Sequence, residues 1–321
     1  MASRIASAVP GAEVVTSRLD QGYVFGRGGR GADAAASRPL LAACAAGPED
    51  ALVRAVAAWR PNVVVADATP WAPVLARAAG VPAAICSNFA WDDQYATLYA
   101  GVDEAASDVA AVRAQVAAFD LAIELPLGPG APSVATRTPV PLIGRRPAGG
   151  APALPPDRQV ITWAFGRTPP DAQPLDGLHA LARFAEERGY VLAANEGLRP
   201  VLDEALGASP AALLLPDDTP WPEVLAASRL VVSKAGYSTL AEALRGRAHL
   251  IAVGVTGLAE ERAMQAELVD RGYGAAVPVE ATDVAAAIEA AARVLLARPP
   301  REPNVEAGEG AILDALERLA G

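Results

Sequence analysis

The sequence predicts an α/β protein of two doubly wound parallel-sheet domains. Three observations carry that expectation. At 321 residues the chain can hold two domains of about 150 residues, each with its own core. Short apolar bursts recur along it, separated by stretches of helical spacing, which is the βαβ pattern of a parallel sheet. The pattern is divided once, by the Gly-, Pro- and Ala-rich run GRRPAGGAPALPPD from Gly144 to Asp157, which has no periodicity and reads as a linker. The expected layout is an N-terminal domain over 1–147, a linker over 148–157 and a C-terminal domain over 158–321.

Composition bounds the function. Hydrophobic residues are 52% and charged residues 20% of the chain, a globular balance. A net charge of −10 with no basic block argues against nucleic acid as a partner, since Arg137, Arg145 and Arg146 are too few and too spread to neutralise a phosphate backbone. Cys44 and Cys86 are isolated, so free thiols in a reducing cytoplasm are expected, a disulfide being the alternative. His179 and His249 are the only histidines, which excludes a His-rich metal site; no metal or cofactor is expected. No uncharged apolar run reaches membrane-spanning length and the start lacks a signal-peptide core, so a soluble cytoplasmic protein is expected. Assembly as a homodimer stays open.

In the first half, apolar bursts predict strands at Glu13–Thr16, Asn62–Ala66, Ala83–Ser87, Leu121–Leu125 and Val140–Ile143. Helical spacing fills Pro48–Trp59, Ala72–Ala79 and Glu104–Phe119. Gly22–Gly31 (GYVFGRGGRG) has the glycines and arginines of a phosphate cradle, but no strand leads into it and no helix starts at its end. It reads as a mobile surface loop, the alternative being a flap over a substrate. Asp67 follows the second of these strands to precede a helix. After Ala83–Ser87 comes SNFAWDDQY (87–95), dense in polar and aromatic groups. There Phe89, Trp91 and Tyr95 close a core edge while Asn88 and Asp92 cap a helix, or the segment forms an acceptor pocket whose carboxylate takes a hydroxyl proton.

The second half restarts the alternation. Strands are expected at Gln159–Phe165, Tyr190–Ala194, Ala212–Leu215, Leu230–Ser233, Leu250–Val253 and Ala275–Val277. Helices are expected at Leu175–Arg188, Leu198–Leu206, Pro222–Ala227, Thr239–Arg245, Glu260–Arg271, Asp283–Ala297 and Gly310–Leu319. The centre of this half is RLVVSKAGYSTLAEALRGRAHL (229–250). Its strand, glycine-bearing turn and helix, with Ser238 or Thr239 as the N-cap, make an anion site, because the first N–H groups of a helix have no intrahelical partner. Lys234, the only lysine, stands beside it. An ordinary strand-to-helix turn is the competing reading.

The wording of Ser233-Lys234-Ala235-Gly236-Tyr237-Ser238-Thr239-Leu240-Ala241-Glu242 resembles the donor-site motif Ser-(Arg/Lys)-x-Gly-x-x-Thr-x-x-Glu of GT-B glycosyltransferases of the MurG-like, family 28 type. The Asn88–Asp92 segment is similar to the Asn-Phe-Ser/Thr-Trp-Asp motif in the GT-B-like region of arabinokinase-type proteins. The resemblance implies a GT-B fold, its two Rossmann-like domains facing a central cleft, and a metal-independent, inverting transfer from a nucleoside-diphosphate sugar, UDP- or dTDP-linked, to an acceptor it does not identify. It implies donor contacts from Gly166, Arg167, Thr168, Ser233, Lys234, Gly236, Ser238 and Thr239, with Glu242 on the ribose. It implies acceptor contacts from Asn88, Phe89 and Trp91, with Asp92 or Asp67 as base. Glu261, Arg262 and Gln265 fall in the family's Glu-Gln-x-x-Asn-Ala segment, which meets the donor sugar; Arg262 and Gln265 depart from it.

Met1–Arg4 aligns with the tail of the family's Gly-x-Gly-His-x-x-Arg loop, so the first strand and the Gly-rich loop are expected to be missing. Two other functions share the scaffold: a nucleotide-sugar hydrolase or 2-epimerase, and a non-catalytic GT-B protein that binds nucleotide or a partner.

Overall fold

The computed structural model describes residues 13, 22–26, 31–147, 154–155, 157–166, 168, 173–206, 209, 211–278, 280–303 and 308–321. The expected strand Glu13–Thr16, beyond Glu13 itself, and the expected loop remnant at 1–4 lie outside these residues.

Among the described residues the first half runs β1 (Val24–Phe25), β2 (Ala32–Asp33), α1 (Ala34–Ala46), α2 (Asp50–Trp59) and β3 (Val64–Ala66). Then come α3 (Ala72–Ala79), β4 (Ala83–Ser87), α4 (Trp91–Leu98), α5 (Ala106–Ala117), β5 (Leu121–Glu124) and β6 (Arg137–Pro139). Strands β3 to β6 form a parallel sheet in chain order among the described residues.

The second half runs β7 (Val160–Trp163), α6 (Leu175–Arg188), β8 (Val191–Asn195), α7 (Arg199–Leu206), β9 (Ala212–Leu215) and α8 (Trp221–Ala227). It continues with β10 (Ser228–Lys234), α9 (Tyr237–Arg245), β11 (His249–Val253), α10 (Ala259–Asp270), β12 (Gly274–Val277), α11 (Val284–Leu296) and α12 (Gly308–Ala320). Its six parallel strands lie in the order β12-β11-β10-β7-β8-β9, the doubly wound order with its switch point between β7 and β10.

Covering both faces of this sheet explains why its strands read as continuous apolar runs. Successive side chains of β10 point to opposite faces. Leu230 and Val232 join Leu178, Leu181 and Ile288 from α6 and α11, whereas Val231 joins Leu240, Leu244, Met264 and Leu268 from α9 and α10. Helix α12 crosses back to the first sheet, where Ala315 is buried with Leu121, Ile123 and Val140.

Three sequence expectations need correction. The strand expected at Val140–Ile143 is displaced to Arg137–Pro139, paired with Ala122–Glu124. Pro139 and Pro141 lack amide donors, so a ladder cannot continue through 140–143; Val140 and Leu142 are apolar because they are buried, not because they are strand. Helix α1 was unread, as its alanine-rich segment carries little periodicity; Asp33 caps it by accepting from the Ala36 amide at 2.9 Å. The described flanks of the Gly22–Gly31 segment are held rather than mobile. Val24 and Phe25 pair with Asp33 and Ala32, Tyr95 donates to the Gly22 carbonyl at 3.0 Å, and the Gly31 amide donates to Val255 O of the second half at 2.5 Å. Arg27–Arg30 lie outside the described residues.

Candidate functional site

The switch point puts two strand ends side by side, β7 leading to Phe165-Gly166 and β10 leading to Lys234-Ala235-Gly236. Crevices form at such points because the chain departs to opposite faces of the sheet on either side. A cavity of about 770 Å³ opens there, lined among others by Gly166, Asn195, Trp221, Ser238, Thr239 and Glu242.

Its walls are built locally. Gly166 has φ +59°, a left-handed turn that favours glycine and swings the chain off β7. Gln173 accepts from Trp163 Nε1 at 2.8 Å and donates to the Thr168 carbonyl at 2.8 Å. Opposite, Asn195 at the end of β8 donates to Asp217 at 2.6 Å and ties down the Asp217–Trp221 loop.

The N-cap of α9 is Gly236, not Ser238 or Thr239, and no side chain caps the helix. Ser238 and Thr239 lie in its first turn, which carries no acidic residue. Uncapped N–H groups at a helix start favour an anion, and here they adjoin the cavity.

Glu242, one turn further, is 4% exposed. Arg145, from the connection between the halves, grips its carboxylate with both nitrogens, Nε to Oε1 at 2.6 Å and an Nη to Oε2 at 3.2 Å. Arg145 therefore lines the cavity, a role that its run of neighbouring arginines and prolines did not announce.

The remaining predicted residues separate into groups. Lys234 and Gly236 line a second, smaller cavity of about 140 Å³, faced from the first half by Phe89, Trp91 and Gln94 and from the β1 hairpin by Tyr23 and Phe25. Trp91 stacks on Tyr95 at 5.3 Å and meets Phe89 edge-on at 5.4 Å. Asn88 is buried and bridges the halves, its Nδ2 donating to Leu127 O at 3.2 Å and to Glu260 Oε1 at 3.1 Å. Ser233 is fully buried and donates to Lys234 O at 2.8 Å. Thr168 is buried behind the Gly166 turn, outside the lining of the large cavity. Arg167 lies outside the described residues.

Four expectations do not fit the geometry. Asp92 is fully buried, accepts from Ser133 Oγ at 2.5 Å and lines neither of these cavities, so it is not placed to take a proton from a bound molecule. Glu261 lines the smaller cavity but uses both oxygens to hold the backbone amides of Val255, Thr256 and Gly257. Gln265 donates to the carbonyls of Ala252 and Val277, clamping β11 to β12. Arg262 binds Gly257 O and Glu280 beside a separate hollow. Asp67 is exposed at the end of β3; burial raises the Cys86 thiol and the Glu260 carboxyl, and the Asp67 charge adds to both rises.

The sequence reading missed Glu260. It lines the smaller cavity with Lys234, and burial, above all, pushes its carboxyl up from 4.5 to about 7. Asn88 and Lys234 oppose that rise, while Glu261 and Asp67 add to it. Among the described residues no cluster of His, Cys, Asp and Glu is disposed to hold a metal, and no helix is long and apolar enough to cross a membrane.

With the two sheets and the crevice described, comparison with solved structures is decisive for the architecture. The glycotransferase of kitacinnamycin superposes with a TM-score of 0.61 at 18% identity, over 90% of this chain and 78% of that one. The fold is GT-B. The glycosyltransferase VinC in complex with dTDP matches with a TM-score of 0.53 at 18% identity, over 84% and 74% of the two chains. UGT2 of Phytolacca americana, complexed with UDP-2-fluoro-glucose and pterostilbene, matches with a TM-score of 0.56 at 16% identity, over 89% and 81%. No protein-family model and no curated protein sequence matches the chain. The structural neighbours are GT-B glycosyltransferases of antibiotic and plant type; the narrower likeness to MurG and to arabinokinase-type proteins has no counterpart among these matches.

Proposed function

We propose that this GT-B protein transfers a sugar from a nucleoside-diphosphate donor to a hydroxyl-bearing acceptor. The observation that carries the reading is the cavity of about 770 Å³ at the β7/β10 switch point, which joins an uncapped helix start to a buried carboxylate one turn away. A nucleoside diphosphate needs both. Its phosphates suit the free N–H groups of α9, and its ribose hydroxyls suit Glu242 as donors to a carboxylate. The base then extends toward the Asp217–Trp221 loop, where Trp221 offers a flat face.

The bound dTDP and UDP-sugar of the structural neighbours support a uridine or thymidine donor. Leaving-group charge is taken by backbone N–H groups and Lys234, so the transfer is metal-independent. The acceptor enters between the halves, over Phe89 and Trp91, opposite the donor, and attack from that side inverts the anomeric centre. Domain boundaries near 147 and 158 fit this arrangement, with the connection between the halves carrying Arg145 at the cleft.

Thermal-shift titration with UDP, dTDP and GDP tests the donor site. A nucleotide at 100 times its dissociation constant adds about 2.7 kcal/mol to stability. No stabilisation by any of the three would overturn the reading. Nucleotide release from UDP-glucose or dTDP-glucose without an acceptor would move the assignment to hydrolysis or epimerisation.

A further inference from the structure

We infer that Glu260, on the donor half, is the general base that removes the acceptor's hydroxyl proton, and that Asn88, across the cleft, positions it. The inference rests on the transferase reading above and names the proton acceptor that Asp92 cannot be.

Four features of the smaller cavity converge on Glu260. It stands in the second position of α10, and Gln94 of the first half accepts from its backbone amide at 3.3 Å. Asn88 of the first half donates to Oε1 at 3.1 Å, which fixes the carboxyl plane. Among the described residues Oε2 receives no hydrogen bond. Lys234, at the end of β10, lines the same cavity and adjoins the first turn of α9. Gln94 supplies the fourth feature: it is 2% exposed, lines the cavity, and its Nε2 has no partner among the described residues. A buried amide donor left open in a cavity wall is costly unless something accepts from it. A hydroxyl oxygen held by Gln94 Nε2 and donating to Glu260 satisfies both groups.

The position also suits the chemistry. Gly236 lines this cavity, while Ser238 and Thr239 line the larger one, so the start of α9 is the boundary between them. A diphosphate seated there puts the anomeric carbon at the edge of the cavity that holds Glu260. In the step, the acceptor oxygen forms a bond to the anomeric carbon as the bond from that carbon to the diphosphate oxygen breaks. The hydroxyl proton passes to the Glu260 carboxylate, and the nucleoside diphosphate leaves with the electron pair beside Lys234. The aromatic lining from Tyr23, Phe25, Phe89 and Trp91 selects an acceptor with a flat apolar body next to that hydroxyl.

Glu260 is faced by Glu261 from its own helix, Asp67 from the end of β3, Lys234 from the end of β10 and Tyr23 from the hairpin segment. Together with burial these hold the carboxyl near neutrality, where a general base is most effective.

Two measurements on the full chain test this. First, carboxyl-carbon NMR of protein labelled at its Glu side chains, with E260Q for assignment, reports the titration directly. One carboxyl titrating near neutrality and absent in E260Q is expected, and Lys234→Gln should move it upward; titration of Glu260 in the ordinary carboxylate range overturns the inference. Second, turnover is measured with UDP-glucose or dTDP-glucose and two acceptors, benzyl alcohol and 4-nitrophenol in mildly alkaline buffer. For the alcohol, E260Q should lower kcat about 10²- to 10⁴-fold, remove the acidic limb of the pH profile and leave the donor KM unchanged. For the ionised phenol, which needs no base, E260Q should retain most of its activity. Equal losses on both acceptors, or a raised donor KM instead, would make Glu260 a sugar ligand or a structural residue and overturn the inference. Failure of the transferase reading looks different: wild-type protein then transfers to neither acceptor and no nucleotide stabilises it, whereas failure of this inference leaves the wild type active and E260Q undiminished.

Discussion

Replacing Glu242 with alanine separates the donor site from the fold more cleanly than any other single change. Among the described residues its carboxylate is held by Arg145 alone, through two charge-assisted hydrogen bonds at 2.6 and 3.2 Å. Arg145 is 64% exposed at its side chain and Glu242 only 4%, so water takes over the guanidinium when the partner goes, and a pair open to water on its cationic side contributes about 1 kcal/mol. Nucleotide binding has more to lose. Ribose hydroxyls bonded to a carboxylate contribute about 1.5–3 kcal/mol, which is a factor of about 10 to 150 in affinity. Isothermal titration with UDP and dTDP should therefore show E242A binding weaker by that factor, while its melting temperature without nucleotide falls by only a few degrees. Affinity retained within threefold would refute the assignment of Glu242 to the ribose, and so would a collapse of the unliganded protein, because the loss would then be structural.

Three further outcomes follow from the same geometry. Asp92→Ala should keep most of the turnover but destabilise the protein by about 1–3 kcal/mol, since the fully buried carboxylate accepts from Ser133 and the alanine cannot; a urea melt beside an activity assay distinguishes this from a base, whose loss would do the reverse. Gly246→Ala should cost about 1–3 kcal/mol or more, because an added Cβ meets Ala226 Cα at 2.3 Å where α8 and α9 touch; a midpoint in urea equal to wild type would refute that close approach. E260Q should flatten part of the pH dependence of stability. A carboxyl raised from 4.5 to about 7 on folding costs nothing below the lower value, progressively more between the two, and its full penalty above the higher, up to about 3 kcal/mol. The variant should gain stability over wild type at about pH 8 and not at about pH 4; equal melting curves at both would contradict the shift.

Much of the C-terminal half was legible because its signals are local. A buried parallel strand announces itself as an apolar run, a helix by its spacing, and the stretch from Leu230 to Glu242 combines both with glycine at the turn. Where the reading failed, the cause was contact made at long range. Val140–Ile143 looked like a strand because it is buried under α12, a helix some 170 residues later. Asp92 looked like a base because it follows an aromatic motif, but Ser133 captures it from a distant loop. Glu261 and Gln265 sit in the expected register and spend their hydrogen bonds on the backbone around them. Glu260 gave no sign of itself in sequence, since its environment is assembled from Asn88, Asp67 and Lys234, three segments that only the fold brings together.

If Glu242 binds the ribose as proposed, the grip of Arg145 on Glu242 makes the connection between the halves a competitor for the nucleotide. A ribose that takes the carboxylate oxygens must share or displace the guanidinium, so nucleotide and connector are linked by one free energy, and linkage works in both directions. To the degree that a bound nucleotide loosens residue 145, any change that loosens residue 145 tightens nucleotide binding by the same factor. On the proposed donor reading, nucleotide occupancy is in this way coupled to the connection between the two halves, ahead of any acceptor.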